Sequence, residues 1–67
     1  MDNWLLLRLR DCAESNLRGM LDQGFPKAMG RLVGLGMVEK IGDGYRATTE
    51  GLTHLRHPDT VAILKVI

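Results

Sequence analysis

Only one cysteine, Cys12, occurs in the 67 residues, so no internal disulfide can form. A lone thiol fits a reducing compartment, and a cytoplasmic location is expected. No apolar run approaches the roughly 20 residues that span a bilayer. The stretch "WLLLRLR" is interrupted by Arg8 and Arg10 and is too short for a signal core, and the apolar tail "VAILKVI" is shorter still than a span requires. The expectation is a soluble chain with no membrane partner. Neither sign of charge dominates: nine Lys and Arg stand against eight Asp and Glu, a net charge of +1. Strong nucleic-acid binders usually carry a larger basic excess, so any DNA-binding case rests on where the cations sit. Internal repeats, low-complexity tracts and linkers are also missing.

The remaining composition is ordinary for a globular chain, 45% apolar and 25% charged. Residues 1–67 are expected to form a single domain with a small core and modest stability. Glycine and proline divide it into short elements. Residues 3 to 15 suit a helix, with Asn3 as its cap and Leu5, Leu6, Leu9, Cys12 and Ala13 on one arc at about 100° per residue. Trp4 and Leu7 fall outside that arc. Either another element of the chain covers them, or they form a small partner-binding patch. Residues 16 to 23 suit a second helix, capped by Ser15, striped by Leu17, Met20 and Leu21, and stopped at Gly24, with Gly19 inside it. Residues 26 to 35 suit a third, with Pro26 at the first helical position and Gly36 at the stop. Its apolar arc is Ala28, Met29, Leu32, Val33 and Leu35, and the opposite arc holds Lys27, Gly30, Arg31 and Gly34. Met20, Met29 and Met37 fall on expected core positions, as gap-fillers.

The period then changes. "MVEKI" and "YRAT" read as strands around Gly42-Asp43-Gly44, and Asp-Gly is a strong signal for a tight hairpin. Thr48 or Thr49 suits the cap of a short helix containing Leu52 and Leu55, which His57-Pro58 ends. Residues 59 to 67 are open between strand, by β-propensity, and helix, by Asp59 at the start of "TVAILK".

That order and these residues resemble the winged helix-turn-helix family. "RLVGLGMVEKIGDGY" is similar to the family's passage from recognition helix to wing, and "YRATTEG" to the run after the wing in MarR- and PadR-type bacterial regulators. The resemblance covers residues 3 to about 56. It implies a mainly α fold with a two-stranded β-wing: three helices, the hairpin and a short C-terminal element. It further implies that residues 26 to 35 are the recognition helix, that residues 17 to 23 support it, and that the partner is double-stranded DNA read in the major groove.

Residue chemistry supports that expectation unevenly. Lys27 and Arg31 are four apart and project from one helical face. Gly30 and Gly34 lie on the same face, and a helical glycine costs about 1 kcal/mol against alanine. Three readings are open: close approach to DNA, a G-x-x-x-G contact with another helix, or a plain solvated face. Lys40 and Arg46 flank the wing and Arg18 begins the expected supporting helix; all three are candidate phosphate contacts. Asp43 at the wing tip serves turn geometry. Arg8 and Arg10 read as a solvated face, with phosphate contact as the alternative.

Other constellations are set aside. His54, His57 and the distant Cys12 lack metal-ligand spacing, so no metal and no cofactor is expected. Ser15, His54 and Asp59 do not sit on a nucleophile turn, and so short a chain leaves little room for a substrate cleft; an enzyme is not expected. The glycines of "GLGMVEKIGDG" do not match a phosphate loop.

The expectation is a small transcriptional regulator of the stand-alone size common in phage and mobile elements, acting as a homodimer. Its contact surface is expected from Trp4, Leu7 and the tail residues Val61, Ile63 and Ile67. The alternative is a protein-interaction module on the same scaffold, which binds or sequesters a protein partner.

Overall fold

Aliphatic periodicity builds the first helix, and a glycine ends it. In the computed structural model, which describes residues 2–66, α1 spans Asn3–Leu17. Its expected core arc is buried in full: Leu5, Leu6, Leu9, Cys12 and Ala13. Asp2 rather than Asn3 is the N-cap residue, and no side chain closes that end.

The expected second helix over 16 to 23 is not formed. Residues 16 and 17 belong to α1, and Ser15 lies inside it instead of capping a new one. The reason is Gly19, which adopts φ +79° and ends the helix. The Gly19 N–H donates to the Asn16 carbonyl (2.9 Å) and the Met20 N–H to the Ser15 carbonyl (3.0 Å). This is the paired closure of a Schellman cap, which favours glycine at the left-handed position. Beyond it the chain is extended, so Leu17, Met20 and Leu21 remain exposed and the stripe they were expected to form does not enter the core. Gly24 is a loop residue and not a cap. A Cβ there would lie 2.7 Å from Met29 Cγ.

α2 spans Pro26–Gly34, with proline at its start. It closes with a second Schellman cap: Gly36, at φ +76°, donates to Val33 (3.0 Å) and Met37 donates to Leu32 (2.9 Å). Ala28, Met29 and Leu32 are buried, whereas Val33 and Leu35 are exposed, so the buried arc is narrower than the periodicity suggested.

The antiparallel strands β1 (Val38–Ile41) and β2 (Gly44–Ala47) pair Val38 with Ala47 and Ile41 with Gly44. The loop therefore holds two residues, Gly42 and Asp43, and Gly44, expected between the strands, is the first paired residue of β2. Gly42 carries positive φ (+57°) and Asp43 does not, the Gly-first pattern of a type II′ turn. On its other edge β2 exchanges two hydrogen bonds with the extended segment: Asp22 N–H to Tyr45 O (3.1 Å) and Tyr45 N–H to Asp22 O (2.7 Å). Asn16 locks this arrangement to α1. Its amide donates to the carbonyls of Met20 (2.9 Å) and Tyr45 (3.4 Å), and its oxygen accepts from the Ala47 N–H (2.8 Å).

Thr48 caps α3 (Thr49–Arg56): its hydroxyl accepts from Gly51 N–H (3.1 Å) and donates to the Gly36 carbonyl (2.6 Å). The tail resolves as a helix, α4 (Pro58–Val66), again opened by proline. α1 packs against α2, β2, α3 and α4 and is the centre of the molecule. The core joins Leu5, Leu9, Cys12 and Ala13 to Ala28, Met29, Leu32, Val38 and Ala47, with Met37, Tyr45 and Leu55 half-buried against it. Met29 thus fills the core as expected, while Met20 does not.

Candidate nucleic-acid interface

The buried arc of α2 fixes what its other side presents. With Ala28, Met29 and Leu32 inward, Lys27, Gly30, Arg31 and Gly34 share the solvent side. A Cβ built on Gly30 or Gly34 meets nothing within 4 Å. Among the described residues no other element therefore occupies the space beside these glycines, and none of them packs there as a G-x-x-x-G partner. α2 contains no acidic residue, and among the described residues neither Lys27 nor Arg31 has an ion-pair partner. The result is an open, cationic helical face with its backbone accessible at two points.

The hairpin beside α2 contributes less charge than its composition promised. Arg46 is held by the directly opposite Glu39, with Nη2 at 2.7 Å and Nε at 3.1 Å from one carboxylate oxygen. Both side chains are exposed, and the pair cancels its own charge. Lys40 is exposed and free of ion pairs among the described residues, while the tip residue Asp43 is acidic. Arg18 is exposed at the C-cap of α1. It cannot act from the start of a supporting helix, because that helix does not exist.

The expected interface residues divide. Trp4 (42% exposed) and Ile63 (38%) are open, Leu7 and Val61 are half-covered, and Ile67 lies outside the described residues. Val66 is far more exposed, at 88%, and was not singled out from the sequence.

Two further features escaped the sequence reading. Asn16 is a polar clip between α1 and β2, unmarked because its partners are distant in the chain. Phe25 is exposed just before α2 and carries the Arg8 guanidinium 4.8 Å from its ring centroid. A lone phenylalanine in a glycine- and proline-bounded loop was the available signal.

Cys12 is inert rather than reactive. Burial first, and the Asp22 carboxylate second, push its thiol from 9.0 up to about 11, against a smaller opposing hydrogen bond from the Ala47 backbone. No group of three or more metal-ligating side chains comes together among the described residues, and none of their helices is long and apolar enough to cross a membrane. Compared with family models, curated proteins and solved structures, the chain matches none.

Proposed function

We propose that this chain is a DNA-binding module of the winged-helix kind that regulates transcription, with α2 entering the major groove and the hairpin lying along the backbone. The observation that carries the reading is the open face of α2. Lys27 and Arg31 share this face with Gly30, which lies between them, and Gly34, which lies beyond, and the missing side chains leave the backbone free to approach base edges. Phosphate contacts supply most of the affinity of such modules. With Arg46 neutralised by Glu39, a single copy offers few of them. Two copies on adjacent half-sites double the number, so the module acts as a homodimer, with Trp4, Ile63 and Val66 as the apolar contact. A single helix, α2, does the reading, and α1 braces it directly in place of a second helix of the reading unit.

The test is fluorescence anisotropy with pooled duplex DNA at two salt concentrations, comparing the wild type with a Lys27→Ala/Arg31→Ala variant. Salt-sensitive binding that the double variant loses supports the proposal. A folded protein that binds no duplex at low salt refutes it. The second reading, a module for a protein partner, draws on the exposed apolar side chains Leu17, Met20 and Val66. It predicts indifference to the α2 cations and sensitivity to Trp4→Ala.

A further inference from the structure

We infer that Arg8 is an additional DNA-backbone contact, held for a phosphate on the flank of α2 by the ring of Phe25. The inference rests on the DNA-binding reading and extends it to a residue of α1.

Three observations lead to it. First, α1 packs directly against α2, with no separate helix between α1 and the start of α2. Side chains of α1 therefore border the start of α2 directly. Second, the Arg8 guanidinium carbon lies 4.8 Å from the centroid of Phe25, the residue that precedes the first turn of α2. Phe25 is itself 61% exposed and the Arg8 side chain 33%, so the cation is half-covered and reaches the surface beside the ring. Third, the donors of Arg8 make only one long ion pair within the chain, to Asp11. That carboxylate stands at 3.8 Å, beyond the roughly 2.7–2.9 Å of a charge-assisted hydrogen bond. Among the described residues no hydrogen bond takes an Arg8 N–H.

The chemistry follows from the shape of the group. A guanidinium stacked on a ring satisfies its apolar face while its in-plane N–H fork stays free, and that fork matches two phosphate oxygens. The stack also removes side-chain freedom before binding, which lowers the ordering cost of the contact. Arg46 is the contrast: its fork is already occupied by Glu39. The competing role, in which Arg8 only covers Phe25 with its methylene stem, would contribute to stability and leave salt dependence untouched.

The experiment measures duplex affinity against salt for the wild type, Arg8→Ala and Arg8→Gln, with thermal melts to establish folding. Arg8→Gln keeps a planar group above the ring without the charge, so it provides a folded variant if Arg8→Ala does not fold. A lost phosphate contact lowers the slope of log K against log salt by about 0.9 and weakens binding by a similar factor on every duplex tested. Unchanged slopes in folded variants overturn the Arg8 contact and leave the α2 reading intact. Absence of duplex binding by the folded wild type overturns both.

Discussion

Replacing Gly30 and Gly34 by alanine should make the protein more stable and a poorer DNA binder at once. A Cβ at either position meets nothing within 4 Å, so neither substitution creates a clash inside the chain. Gly30 is interior to α2, where alanine is favoured by about 0.8–1.0 kcal/mol. Gly34 is the last helical residue and should contribute less, about 0.3–0.5 kcal/mol, mainly by restricting the unfolded chain. Together they add roughly 1–1.5 kcal/mol, which in a domain of this size raises Tm by about 5–10 °C. Urea and thermal unfolding followed by circular dichroism measure this, with an unchanged m-value showing that only stability moved. The same two methyl groups stand at the centre of the proposed DNA face and hold the helix off the base edges. Affinity for duplex DNA should fall by about tenfold or more, a loss of about 1.4 kcal/mol or greater. A rise in Tm with unchanged DNA affinity would refute the functional reason for the glycines. A fall in Tm would refute the open face itself.

Four other outcomes are expected. Gly51→Ala should cost about 3 kcal/mol or more, because its Cβ would press on the Met37 carbonyl and on Leu9 Cδ1, and urea unfolding that moves by less than 1 kcal/mol would contradict this packing. Asn16→Ala should cost about 1–3 kcal/mol by leaving the Ala47 N–H without its acceptor, read from the same curves. The raised Cys12 pKa favours the neutral thiol in the folded state, so its contribution is full below about pH 9 and is lost as pH rises towards about 11. Stability should therefore fall more steeply over that range in the wild type than in Cys12→Ala, and parallel profiles would contradict it. Glu39→Gln should release Arg46, tightening duplex binding several-fold at low salt and steepening the salt dependence, while changing stability by less than about 1 kcal/mol because the pair is exposed.

Local signals were readable where local physics decides. The α1 core arc follows from periodicity, and the Pro26 start, the Gly36 stop and the Thr48 cap each follow from one residue's stereochemistry. The segment after Leu17 failed for the opposite reason. Leu17, Met20 and Leu21 have helical spacing, and Gly19 fits either a weak helix interior or a left-handed stop. The choice falls to the stop because Asp22 pairs with Tyr45, a contact 23 residues away that no local pattern announces. The tail was undecidable by propensity; Pro58 as an opening residue and packing on α1 settle it as a helix. At the candidate site, the cations and glycines of α2 were legible as one face. The neutralisation of Arg46 was not, since it depends on a cross-strand register that the Gly42-Asp43 loop sets. The empty space beside Gly30 and Gly34 is likewise a property of the packed chain and not of the sequence.

α2 is proposed to present its Lys27–Arg31 face to duplex DNA. Titration of ¹⁵N-labelled protein with duplex DNA at low salt, followed by amide chemical shifts, tests it residue by residue. The largest shifts are expected in residues 26 to 34, with smaller ones in the hairpin and around Arg8, and all of them should be lost in Lys27→Ala/Arg31→Ala. Shifts confined to α4 and Trp4, or no shifts at all, would contradict it.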